Sequence, residues 1–166
     1  MREKLLAETR RELAESGYGG LNIRRIAQNC GTATGTLYNY FASKEMLVAS
    51  AMLDDWLGAI GRAGACLRRC ESVADGFEAI YGAIIWFTEK YSPIFHENAI
   101  PLAGGAYTQR HIQLRGQIAS LIIELTERFG SAPEPTALAV IAEALLAGAA
   151  EDWSFAELFA VIQKLL

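Results

Sequence analysis

The sequence predicts an all-α protein, a three-helix head followed by a longer helical body, with about nine helices in all. Three observations carry this prediction. Apolar residues recur with a period near 3.6 through nearly every segment, and no stretch alternates as a strand would. Capping residues and Gly or Pro breaks fall at the ends of these periodic runs. Apolar residues make up 52% and charged residues 20% of 166 positions, which suits packed helices rather than a disordered chain.

The elements follow in order. Leu6, Thr9 and Leu13 give a first helix, ended by the turn chemistry of Gly17, Gly19 and Gly20. Asn22 is the N-cap of a second helix with Ile23, Ile26, Ala27 and Cys30 inward, and Gly31 ends it. A short third helix turns Leu37 and Phe41 inward at i, i+4. Ser43 caps a long fourth helix carrying Met46, Leu53, Leu57 and Ile60. Residues 73–91 set Phe77, Ile80, Tyr81, Ile84, Thr88 and Tyr91 on one face, with Pro93 beyond the end. Residues 94–105 read as a short helix and a Pro/Gly break, and residues 106–129 as a helix closed by Gly130. Helices at about 134–150 and 154–166 complete the chain, the last opened by a Ser154/Glu157 capping box with Phe155, Leu158, Phe159, Ile162 and Leu165 inward. The expected division is 1–46 for the head and 47–166 for the body.

Charge is uneven along the chain. The overall balance is −4, yet residues 1–47 hold Arg2, Lys4, Arg10, Arg11, Arg24, Arg25 and Lys44 against five acids. A locally basic head on an acidic body is compatible with a polyanionic partner. Arg2, Lys4, Arg10 and Arg11 read as the solvated face of the first helix. No run of eighteen apolar residues marks a membrane span. Three cysteines, Cys30, Cys66 and Cys70, lack zinc-ligand spacing, so a reducing cytoplasm is expected and no metal or cofactor. No nucleophile elbow, phosphate loop or paired-carboxylate constellation appears, and Asp54-Asp55 falls mid-helix without evident partners. An enzyme is not expected.

The stretch "CGTATGTLYNYFASKE", residues 30–45, carries the functional signal. Two short helices joined at a glycine, the second rich in small and hydroxyl side chains, fit a helix-turn-helix. A helix entering a major groove about 12 Å wide must be narrow and polar at its leading end, and "TATGT" at 32–36 is both. Gly35 costs about 1 kcal/mol inside a helix relative to Ala; close backbone approach to DNA is one reason to keep it.

"LNIRRIAQNCGTATGTLYNYFASKEML" resembles the N-terminal domain of the TetR family of bacterial transcriptional regulators. Ile26-Ala27, Gly31, Gly35-Thr36-Leu37-Tyr38, Tyr40-Phe41 and Ser43-Lys44-Glu45 follow that family's pattern at its spacing, and the resemblance covers roughly residues 5–50. It implies a homodimeric regulator with a DNA-binding head and a ligand-binding body, a repressor released from a quasi-palindromic operator by a small-molecule effector. It further implies that Tyr40, Lys44 and Thr36 contact phosphates, that Arg24 reaches a base or phosphate with Arg25 beside it, and that Tyr38 faces DNA. Thr34, Gly35 and Asn39 are left to sense base edges. The chain departs from the family where Ala33 replaces the usual Ser cap, leaving capping to Thr32 or water. Thr34 stands where Lys or Arg is frequent, so the third helix has no base and guanine recognition moves to Arg24.

The body offers Tyr81, Trp86, Phe95, His96, Tyr107, Arg110 and His111 as candidate effector contacts. Residues 134–166 are apolar at twenty-two of thirty-three positions, with Lys164 the only base. Helices apolar nearly all round need covering on more than one side, so homodimerisation through the last two helices is expected. The alternative left open is a ligand-blind helical dimer serving as a DNA-binding architectural or protein-interaction module.

Overall fold

The computed structural model describes the backbone of residues 1–96 and 105–166, and the side chains of residues 1–94 and 111–166. Among these residues there are eight helices and no strand: α1 (Arg2–Gly20), α2 (Ile23–Asn29), α3 (Thr34–Tyr40), α4 (Lys44–Leu67), α5 (Val73–His96), α6 (Gly105–Arg128), α7 (Pro135–Ala150) and α8 (Phe155–Ile162). They form two compact units. One gathers α1, α2, α3, α4 as far as Trp56, and α5 from Tyr91; the other gathers the rest of α4 and α5 with α6, α7 and α8. No described helix is long and apolar enough to cross a membrane.

In the first unit, Leu5 and Leu6 of α1, Ile26 and Ala27 of α2, Leu37 of α3, and Leu47, Val48 and Ala51 of α4 are all at most 1% exposed. Gly17 (φ 64°, ψ −175°) interrupts α1 in a conformation open to glycine. The α2–α3 turn is a Schellman motif: Gly31 (φ +69°) donates to Gln28 O at 3.0 Å and Thr32 N to Ala27 O at 2.9 Å. Asp54 and Asp55 have partners after all. Arg10 pairs with both, its Nε 2.6 Å from Asp55 Oδ1, and the buried Tyr91 hydroxyl donates to Asp55 Oδ2 at 2.7 Å. Arg10 is therefore an internal link between α1 and α4 rather than part of a solvated face.

The second unit is built on Phe77, Ile80 and Ile84 of α5, Ile118, Ile122 and Leu125 of α6, Ile141 and Leu145 of α7, and Leu158 and Ile162 of α8. Phe77, Phe155 and Phe159 form an aromatic group with centroids 5.2–5.7 Å apart along the Phe77–Phe159–Phe155 chain. Ser72 and Asp75 cap α5 reciprocally (Asp75 N to Ser72 Oγ 3.1 Å, Ser72 N to Asp75 Oδ2 3.0 Å), and Arg128 donates to Leu67 O at the end of α4. Gly130 (φ +75°) closes α6, and the Ser154/Glu157 capping box opens α8.

Four further details of the helices differ from expectation. On α4, Met46, Leu53 and Leu57 are about half exposed, and the buried side is Leu47, Val48, Ala51, Trp56, Ala59 and Ala63. The helix is apolar on two sides, so period alone chose the wrong stripe. Pro93 lies inside α5, not beyond it. A proline forfeits one intrahelical bond, and burial of Tyr91 and Ile94 on either side of it holds the turn. Cys30 is only half-buried; its thiol donates to Lys4 O at 3.4 Å. Leu165 lies beyond α8 and is 37% exposed. The short helix expected at 94–105 lies outside the described residues from 97 to 104.

Candidate nucleic-acid interface

The second helix begins on a complete cap. Asn22 Oδ1 accepts from Arg24 N at 2.9 Å and Arg25 N at 3.2 Å, which meets two of the donors a helix start leaves open. The two arginine side chains then diverge. Arg24 is exposed and its side chain has no hydrogen bond or ion pair among the described residues. Arg25 pairs through Nε and Nη2 with the carboxylate of Glu12 on α1, and Nη2 also donates to Ser16 Oγ at 3.3 Å. Glu12 is 1% exposed, and its carboxylate bond raises the Arg25 pKa further.

The third helix is anchored by Leu37 (0% exposed) and Phe41 (3%). Its other faces point away from that anchor: Gly35 and Asn39 are exposed, Tyr38 and Tyr40 are 48% and 47% exposed, and Thr34 and Thr36 are half-exposed. Thr32 does not cap it; the N-cap is Ala33, and no side-chain bond is made there. A methyl group added at Gly35 would meet nothing within 4 Å, so packing inside the protein does not require glycine at this position.

Lys44 opens α4, with its Nζ 4.4 Å above the centre of the Tyr18 ring. The Tyr18 hydroxyl donates to Glu45 Oε1 at 3.0 Å. Burial, then that bond, pushes the Tyr18 hydroxyl up to about 12. Hydrogen bonds from Ser43, the Glu45 backbone and Tyr18 hold the Glu45 carboxyl below its usual range. Ser43 Oγ accepts from Met46 N at 3.2 Å, so the start of α4 is fixed by three neighbouring side chains. The arrangement holds a cation on an aromatic platform close in sequence to the exposed α3.

The candidate effector residues do not share one environment. Tyr81 is buried, and its hydroxyl donates to Trp153 O at 2.7 Å. Trp86 is 38% exposed, with Arg62 and Lys90 at 5.1 and 4.8 Å from its ring centre. His111 Nε2 lies 2.9 Å from Glu143 Oε2, joining α6 to α7. The side chains of Phe95, His96, Tyr107 and Arg110 lie outside the described residues. No group of three or more His, Cys, Asp or Glu among the described residues is placed to hold a metal. Two residues of the interface escaped the sequence reading, Glu12 and Tyr18. Glu12 had a usable signal, since it follows Leu5 and Thr9 at i, i+4, i+7 on the inward face of α1.

Comparison with known proteins agrees with this geometry. The family model for bacterial regulatory proteins of the tetR family matches residues 5–51. The HTH-type transcriptional regulator UidR of Escherichia coli K12 is 33% identical over 61 residues, 37% of this chain and 31% of that protein. The HTH-type transcriptional repressor AcnR of Corynebacterium diphtheriae is 33% identical over 54 residues, 32% of this chain and 28% of that protein. The matched segment thus spans about a third of the length of these curated relatives. Over almost the whole chain, the fold is similar to a solved structure from Rhodococcus sp. RHA1 assigned as a transcriptional regulator: TM-score 0.74 at 20% identity, covering 99% of this chain and 94% of that one. The residues that build α1, α2, α3 and the start of α4 thus carry the signature of the tetR family of bacterial regulatory proteins, and the likeness in fold extends through the remaining helices.

Proposed function

We propose that the chain is a DNA-binding transcriptional regulator that acts as a homodimer, a repressor released from a quasi-palindromic operator by a small molecule. The observation that carries the reading is the division of α3, with Leu37 and Phe41 buried while Tyr38, Asn39 and Tyr40 are exposed. An exposed aromatic pair beside small hydroxyl residues, with Arg24 exposed at the start of α2 and Lys44 held on Tyr18, is a surface for phosphates and base edges. Thr36, Tyr40 and Lys44 serve as phosphate contacts, and Arg24, Thr34, Gly35 and Asn39 face the bases. The repressor assignment follows AcnR of Corynebacterium diphtheriae, a transcriptional repressor.

Dimerisation is supported by apolar surface on and between the last two helices: Val140 is 54%, Val161 52% and Trp153 45% exposed. Burying such side chains against a second copy removes apolar area that a lone chain leaves in water. A two-fold dimer presents two α3 helices to half-sites one DNA turn, about 34–36 Å, or a multiple apart. An effector acts by favouring a dimer state with the wrong spacing.

The test is selection of bound fragments from the source genome by purified protein. Recovery of a shared inverted repeat supports the reading, and fragments without a common motif at low salt oppose it. The effector arm is tested separately, by a melting shift and loss of operator binding with candidate small molecules. Operator binding that no such molecule alters favours the ligand-blind module instead.

A further inference from the structure

We propose that Glu12 is a positioning residue that withdraws Arg25 from DNA and leaves base reading in α2 to Arg24. This inference rests on the DNA-binding reading above. The two arginines are adjacent in sequence, and either has the chemistry to read guanine. Their surroundings separate them. A guanidinium reads a guanine edge with two parallel N–H donors, and both of its forked edges include Nη2. On Arg25, one Nη2 hydrogen goes to Glu12, the other to Ser16 Oγ, and Nε is also on Glu12. Three of its five donors are therefore spent, and no forked edge remains free.

Releasing Arg25 would strand a carboxylate that is 1% exposed, away from water and without its counter-charge. The pair neutralises Arg25, fastens the start of α2 to α1, and thereby fixes where the neighbouring Arg24 points. Among the described residues Arg24 has no competing partner, which leaves its full fork to DNA.

The experiment compares binding to the duplex recovered by genomic selection and to a scrambled duplex of the same composition, across a salt series. Glu12→Gln removes the charge that holds Arg25. We expect scrambled-duplex affinity to rise and the salt slope to steepen by about one per subunit. The preference for the selected duplex should fall at least about threefold. Glu15→Gln makes the same charge change on the exposed side of α1 and should reproduce none of this. Where Glu12→Gln fails to fold by circular dichroism, the paired replacement Glu12→Met with Arg25→Met decides. It should keep the wild-type preference within about threefold, while Arg24→Ala loses at least about tenfold. Glu12→Gln behaving as Glu15→Gln does, or the paired variant losing as much preference as Arg24→Ala, overturns the inference alone. Wild-type protein binding both duplexes equally overturns the DNA-binding reading, and this inference with it.

Discussion

Arg24 follows a helix cap that is already complete, so its charge serves no purpose in starting α2. Replacing it with Ala should leave the melting temperature unchanged. Operator preference should fall roughly tenfold or more, because a bidentate contact is worth about 1–3 kcal/mol; fluorescence anisotropy with matched and scrambled duplexes measures it. Two carboxylates make a second prediction. Hydrogen bonds from Arg11 and Asn29 hold Glu8 below the ordinary value, and those from Ser43, its own backbone and Tyr18 do the same for Glu45. A lowered folded pKa gives stability that is fully present above the unfolded value and lost as pH falls through the folded one. Urea midpoints should therefore drop between about pH 5 and pH 3, and Glu8→Gln with Glu45→Gln should flatten that drop. At this scale the sequence revealed what local spacing controls. The exposed Tyr38 and Tyr40 follow from Leu37 and Phe41 turning inward. The Glu12–Arg25 pair joins residues of two helices, and no local pattern reports which of two adjacent arginines a neighbouring helix will claim.

Helices α1, α2 and α3 were legible because caps and glycines bound them closely: Asn22, Gly31 and Gly17 each leave one way to continue. Longer helices were legible in extent but not always in orientation. α4 presents apolar residues on two sides, and Met46, Leu53 and Leu57 read as plausibly inward as the Leu47, Val48 and Trp56 stripe that is buried. Pro93 misled because tertiary burial of Tyr91 and Ile94 outweighs one lost hydrogen bond. Two glycines sharpen the distinction between packing and function. A Cβ at Gly76 would lie 2.2 Å from Leu125 Cδ1 in a fully buried part of the second unit. Gly76→Ala should cost about 1–3 kcal/mol in chemical denaturation through overpacking. At Gly35 the surroundings are open. Gly35→Ala should leave stability equal or raise it by up to about 1 kcal/mol, yet weaken operator binding, since only an approaching DNA surface needs the space. Unchanged affinity would show that the glycine has no part in recognition.

In the whole molecule, a family signature in residues 5–51 is followed along the chain by terminal helices that leave apolar side chains in water. The candidate effector residues share residue type and helical spacing, yet Tyr81, Trp86 and His111 occupy three different settings. Residue type does not report whether a hydroxyl or imidazole is already engaged, which is why that part was not legible. The proposed dimer has a direct consequence. Val161→Glu should shift sedimentation from dimer to monomer and lower operator affinity by about 100-fold or more, the scale at which two linked contacts exceed one. The most direct test of the central claim is the affinity of the purified protein for its selected duplex and for a scrambled duplex over a salt series. The account predicts clear preference for the selected duplex and an affinity falling steeply and linearly on logarithmic axes, as several phosphate contacts per dimer require. Equal affinity for both duplexes, or no binding at low salt, would contradict it.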